Sequence, residues 1–484
     1  MGNLFIVMNT ILNVSKMEFD DACLVQPKYK ALVLLIEQAI LAGALPDQQK
    51  LPAQRLLADQ LNITHGTVTR AYDLLEKKGL VSAKLGAGTY VNLPSSTHKV
   101  SGQSHGANPN THVTKEYDFA SSMQPMLGQQ MLMKKALSEL AEDIDAVTQV
   151  MTYSPQGVAK HKQVFVDWLA SKKIKIETND IVFTQGAQQG IYTCLQILTK
   201  ENDYILHEEL AYPGFFRAVD ASRVKPLGVP ITPQGLDLSV LEEYCQQYKP
   251  KLLYITPNMQ NPTNIQYSPT QLESIVTLSR KYDFYIVEDD VNYCLSESWR
   301  LPLQQKAPDR VFYISSLSKY VAGGLRVAYT IVPALWQQAF NANIHSQCWM
   351  VSTLNFELAT RFLTGESFIH NQSLLEGEMR YRQNAFRAMA EKQGLTARSG
   401  GLNVWLSLPN HINVNQFNAF LLSKNVKART ADLFCHSSSP AISIGLNALR
   451  ISLGGFNTRN DFEEGVVEFE NALMEFNNQQ DVVI

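Results

Sequence analysis

Residues 93–116 divide this chain in two. The stretch is rich in Ser, Thr, Asn, Gly, Pro and His and carries no apolar periodicity. Such a segment buries too little to hold a fixed shape, so it reads as a flexible linker. It forces two separately built parts, a short one at 25–92 and a long one at 117–484. The first 24 residues are uninformative. They begin with an apolar run that no basic residue precedes, a poor secretory signal. Ile6 stands where a myristoylation motif needs Ser or Thr.

The short part reads as three helices and a hairpin. Leu32, Leu35, Ile36, Ala39 and Ile40 recur at helical spacing, predicting a helix over 28–42. After Leu51-Pro52 a second helix spans 53–61, and Thr64 caps a third over 65–78. Strand runs at 80–85 and 89–91 flank Gly86-Ala87-Gly88, which predicts a β-hairpin. Together these make a winged helix-turn-helix. Residues 28–92 carry eight basic and five acidic side chains, against a whole-chain net charge of −3. The remainder is therefore acidic, and the asymmetry suits a DNA-binding module on an acidic body.

The long part alternates apolar strand runs, such as 181–184, 204–206, 252–255 and 284–287, with helical stretches. That pattern predicts an α/β fold with a mostly parallel sheet and helices on both faces, and residues from about 375 to 484 read as a smaller α+β subdomain. Polar motifs follow several strands. Gly186, Ala187 and Gln188 open a helix, where backbone N–H groups favour anions. Tyr212 and Asn261 stand on loops, and Asp289 ends a strand where α/β sheets bind ligands. Lys319 lies among Ser316, Ser318 and Arg326, a lysine amine beside groups suited to a phosphate. Singly, each also fits a turn, a core tyrosine or a surface charge.

The motifs Leu51-Pro52-Ala53-Gln54-Arg55 and Thr67-Val68-Thr69-Arg70-Ala71-Tyr72, with the glycine hairpin, resemble the GntR-type winged helix. The resemblance implies that the third helix enters the major groove of double-stranded DNA, with Thr64, His65, Thr67, Thr69 and Arg70 on its leading turns. Arg55 and Lys84 would touch phosphates, and Gly86 would let the wing approach the backbone. His65 replaces the usual arginine. The ordered motifs of the long part resemble fold-type I aminotransferases. That implies pyridoxal 5′-phosphate as cofactor, Lys319 as its Schiff-base lysine, Asp289 on the pyridine nitrogen and Tyr212 stacked on the ring. Gly186, Ala187, Gln188, Ser316, Ser318 and Arg326 would hold the phosphate, and Asn261 the ring's polar edge. Arg450 would grip a substrate carboxylate, and Tyr153 falls where a second subunit completes the site, implying a homodimer. The two resemblances combined resemble the MocR family of bacterial regulators.

The expected function is a cytoplasmic transcription regulator that senses the cofactor, or an amine or amino acid reacting with it. A working aminotransferase with an accessory winged helix is the alternative. Val291 stands where relatives carry a tyrosine, with Tyr293 two residues on, and Asn264 replaces a usual glycine. Both departures bear on turnover. Six scattered cysteines without a CxxC pair imply neither a disulfide framework nor a metal site. No apolar run reaches the roughly 18 residues of a spanning helix.

Overall fold

The computed structural model describes residues 27–41, 45, 49–77, 80–84, 88–91, 115–437 and 446–481. The N-terminal extension and all but the last two residues of the expected linker lie outside them. The chain separates into two compact units, 1–112 and 113–484.

In the first unit, α1 (Lys28–Leu41), α2 (Gln54–Leu61) and α3 (His65–Lys77) precede the antiparallel pair β1 (Val81–Lys84) and β2 (Gly88–Val91). The core gathers Leu32, Ile36, Leu57, Val68, Ala71, Leu75 and Val91. Thr64 caps α3 by accepting from the Thr67 N–H at 3.3 Å. Helix α2 begins one residue later than expected, because Ala53 is extended (ψ 135°). Pro52 just ahead is buried, and its carbonyl accepts from the Tyr72 hydroxyl at 2.9 Å.

The second unit is built on a seven-stranded sheet. Its strands are β3 (Ile181–Gln185), β4 (Tyr204–Glu208), β5 (Lys225–Val229), β6 (Leu252–Ile255), β7 (Tyr285–Asp289), β8 (Val311–Ser316) and β9 (Val327–Ile331). Their order is β3-β9-β8-β7-β6-β4-β5, and only β9 runs antiparallel to its neighbours. Strands β6, β8 and β9 are buried along their whole length, as expected where helices cover both faces. The connecting helices start on recognisable caps. Asp237 accepts from the Ser239 and Val240 N–H groups, and Ser268, followed by Pro269, accepts from Gln271.

A second, four-stranded sheet comprises β10 (Thr396–Gly400), β11 (Asn403–Ser407), β12 (Arg429–Thr430) and β13 (Ala448–Ser452), in the order β10-β11-β13-β12. It packs with the long helices Glu366–Lys392 and Arg459–Asp481 around Leu375, Phe386, Val404, Ile451 and Phe469. The first of these helices runs unbroken from Glu366, with Phe368 packed in a separate core and Leu375 onward in this one. The subdomain also recruits the beginning of the body. Tyr117–Asp118 pairs in parallel with Val426–Lys427, and Phe119 is buried in the same core. Among the described residues no helix is long and apolar enough to cross a membrane.

Candidate functional site

The parallel strands deliver their polar ends to one place. A cavity of about 170 Å³ is lined by Ala187, Gln188, Tyr212, Asn261, Asp289, Ser316, Ser318, Lys319, Arg326 and Arg450, all singled out from sequence. Ser122, Thr256, Val291 and Asn292 complete the wall. Thus loops after β3, β4, β6, β7 and β8 meet at the carboxyl end of the sheet.

Lys319 follows β8 on a single 3₁₀ turn that Ser316 caps. Its Nζ donates to the Ser122 carbonyl. Burial, with Arg450 and Arg326 nearby, pulls the amine down to about 8. A neutral, nucleophilic fraction is therefore present near neutral pH. Asp289 is buried and accepts from the Tyr254 hydroxyl at 2.6 Å and the Val291 N–H at 3.1 Å. Burial still pushes it up to about 6.

The helix Ala187–Leu198 opens at the cavity, and Gly186 ahead of it has φ +79°. A Cβ there would fall 2.0 Å from a guanidinium nitrogen of Arg326, so only glycine lets arginine lie across the helix start. The Gln188 amide donates to the Gly214 carbonyl at 2.6 Å. Arg450, on β13, is buried. One Nη donates to the Ala120 carbonyl at 2.7 Å, while Nε has no partner among the described residues. The Asn261 Oδ1 is likewise buried and unpartnered. Both residues line the cavity, so a ligand bound there would offer each of these atoms a partner.

Tyr153 does not line the cavity of its own chain. It is 83% exposed, edge-on to Trp349 at 6.4 Å. Tyr293 does not replace the hydroxyl missing at Val291. It is buried against Tyr320, 5.4 Å between ring centroids, and lines a different cavity. Asn264 adopts φ +57°, which explains why glycine serves equally there. Its amide earns a role glycine cannot fill, donating to the carbonyls of Arg398 and Asn403 across to the second sheet. Arg217 is on the surface. The sequence reading missed Ser122, Thr256, Asn292 and Tyr254. Only Thr256 and Asn292 carried any signal, as polar residues directly after strand runs.

In the first unit, Arg55, Thr64, His65 and Arg70 are exposed. The hydroxyls of Thr64 and Thr67 are 2.8 Å apart, and that of Thr69 donates to the Gln54 side chain at 2.8 Å. The guanidinium of Arg70 lies 4.8 Å from the Tyr29 ring centre. The side chain of Lys84 and all of Gly86 lie outside the described residues.

Comparisons with known proteins agree with this geometry. Residues 115–452 match the family "Aminotransferase class I and II", and residues 28–91 match "Bacterial regulatory proteins, gntR family". The uncharacterized HTH-type transcriptional regulator YdeF of Bacillus subtilis is 28% identical over 93% of this chain and 95% of its own length. YdcR of Escherichia coli, of the same description, is 24% identical over 84% of this chain and 92% of its own. Among solved structures, the alpha-aminoadipate aminotransferase LysN of Thermus thermophilus superposes with a TM-score of 0.67 at 22% identity. It covers 76% of this chain and 94% of its own, and was solved with N-(5'-phosphopyridoxyl)-L-leucine. The lysine, the buried aspartate and the arginine-covered helix start fit pyridoxal phosphate, which needs an amine, an anion for its ring nitrogen and a phosphate cradle. The chain belongs to the aminotransferase class I and II family, and the gntR-family module ahead of that domain gives it the two-part make-up of the MocR-type regulators.

Proposed function

We propose that this chain is a DNA-binding transcription regulator whose aminotransferase-like body holds pyridoxal phosphate and senses an amine or amino acid there. One observation carries the reading: a gntR-type module and a cavity gathering Lys319, Asp289, Arg326 and Arg450 occur in one chain. Regulators named among the relatives span nearly the whole chain, which supports the regulator over a free-standing enzyme.

The residues divide the work. Lys319 supplies an amine whose lowered pKa suits it to hold an aldehyde. Asp289 offers a carboxylate to the ring nitrogen, Tyr212 a face for stacking, and Asn261 its unpartnered side chain to the ring edge. Gly186, Ala187 and Gln188 present the helix start, and Arg326, Ser316 and Ser318 surround it, as a phosphate site requires. Arg450 offers the guanidinium for a ligand carboxylate. Tyr153 of a second copy would complete the site in a homodimer. When bound, pyridoxal phosphate supplies an aldehyde that captures amines reversibly and a ring that withdraws electrons. On the module, Arg55, Thr64, His65, Thr67, Thr69, Arg70, Lys84 and Gly86 form the DNA-facing set.

Sensing requires that the occupied cavity favour one arrangement of the chain over another. An absorbance scan of the purified protein, with and without an amino-acid panel, paired with DNA binding, tests this. A cofactor band that amines shift, together with altered DNA affinity, is expected. No band, and a DNA response that Lys319→Ala leaves unchanged for every ligand, would refute it. A transaminase reading rests on the same Lys319, Asp289 and Arg450. Rapid half-reactions would favour it, although Val291 withholds a hydroxyl donor from the site.

A further inference from the structure

A cavity larger than the one around Lys319 lies in the same unit and shares none of its lining residues. It measures about 600 Å³, and its walls include Trp168, Lys172, Tyr293, Trp299, Tyr320 and Phe368. Small-molecule sites typically measure about 300–1,000 Å³ and have such apolar, aromatic walls with a few polar groups.

The polar groups are lopsided. Lys172 carries its ammonium 4.2 Å from the Trp168 ring centre and 4.5 Å from that of Tyr320. That ammonium makes no hydrogen bond or salt bridge within the described residues. Glu376, the carboxylate on the wall, is already taken by Arg380 at 3.0 Å and the Ser296 hydroxyl at 2.5 Å. Asp290, whose charge favours the Lys172 ammonium, makes no salt bridge with it and accepts from the Tyr313 hydroxyl at 2.7 Å and the Asn258 amide at 3.5 Å. The Gln372 amide donates to the Tyr320 carbonyl at 2.7 Å. What remains without a partner among the described residues is a set of donors: the Lys172 and Lys173 ammoniums, the Tyr293 and Tyr320 hydroxyls and the indole N–H groups of Trp168 and Trp299. Burial pulls Lys172 down to about 8, which leaves it mainly charged at neutral pH. An aromatic chamber that holds the Lys172 ammonium between two rings, with the exposed Lys173 also on its wall, complements a flat ring bearing a negative group.

We propose that this cavity is a second small-molecule site that takes an aromatic monocarboxylate, its carboxylate on Lys172 and its ring among Trp168, Trp299 and Tyr320. The site is separate from the cofactor cavity but adjoins it in the chain. Tyr320 directly follows Lys319, and Tyr293 follows Asn292 of the other wall.

The full chain is titrated with 4-nitrobenzoate, which quenches tryptophan emission, and with uncharged 4-nitrobenzyl alcohol. Saturable quenching by the carboxylate is expected, with the alcohol weaker by about tenfold or more, the worth of a charge-assisted contact. Lys172→Met should weaken the carboxylate by about the same factor, while Lys172→Arg keeps most of its affinity. Trp299→Phe should reduce the quenched amplitude. Quenching that does not saturate by low millimolar concentration overturns the proposal. So does equal binding of the alcohol, or a Lys172→Met protein that binds as before, which would place the ligand elsewhere. Should Lys172→Met fail to fold, Lys172→Gln takes its place, and a Lys172→Gln protein that binds the carboxylate as before likewise overturns the proposal.

Discussion

Glu208 and Asp289 are both buried carboxylates at the carboxyl ends of strands in one sheet, β4 and β7. Their surroundings differ. Glu208 accepts from the Thr256 N–H at 2.9 Å, the Thr256 hydroxyl at 2.7 Å, the Gln260 amide at 3.0 Å and the Tyr267 hydroxyl at 2.8 Å. Asp289 accepts from two donors, and orphaned atoms of Asn261 and Arg450 share its cavity. The first network closes on itself and braces the loop that carries Asn261. The second is open and waits for a partner. Burial of an acid therefore says little about its role until its hydrogen bonds are counted.

The contrast can be broken in graded steps. Lys319→Ala should abolish the cofactor band entirely in an absorbance scan. It should not lower the unfolding midpoint at pH 7. The folded-state pKa is lowered to about 8, so protonating the buried amine costs stability below that pH, and alanine removes the cost. Glu208→Leu should cost about 3 kcal/mol or more in denaturant unfolding, because several buried donors lose their acceptor at once. Asp289→Asn should do the reverse. Unfolding should change by less than about 1 kcal/mol, while cofactor affinity falls about ten- to a hundredfold in a fluorescence titration. If Asp289→Asn proved as destabilising as Glu208→Leu, the division between closed and open networks would fail.

A smaller effect follows from pH. The rate at which cofactor-free protein captures pyridoxal phosphate should rise by up to about tenfold per pH unit as the Lys319 amine loses its proton, then level off above about 8. Arg326→Gln should shift that levelling to higher pH, since the guanidinium helps to hold the amine down. The smallest effect lies on the other unit. Arg55→Ala should reduce the slope of log affinity for DNA against log salt by about 1.

Most of the cofactor cavity was legible because most contributing residues end or follow a strand in a recognisable local pattern. Lys319 and Asp289 were readable from their immediate neighbours. Tyr254, which holds Asp289, was not. It sits in β6, where every residue is buried on one face or the other, so no alternation marks the side it serves. Ser122 lies 197 positions before Lys319 and belongs to no motif, and only the fold brings the two together. The chamber around Lys172 draws on four distant segments for the same reason. The hairpin and helices of the first unit were legible from spacing alone, with ends shifted by about one residue.

The pairing of Tyr117–Asp118 with Val426–Lys427 decides where the connecting segment is tied. Phe119 sits in the core of the second sheet, and Lys115 pairs with Asp461 at 2.7 Å on the last helix. The tether thus ends on the small half of the body rather than on the sheet that carries Lys319. A shift of the small half against the large one would therefore move Lys115 and the first residues of the body with it. Asn264 bridges the same two halves, its amide holding the loop after β6 to the carbonyls of Arg398 and Asn403.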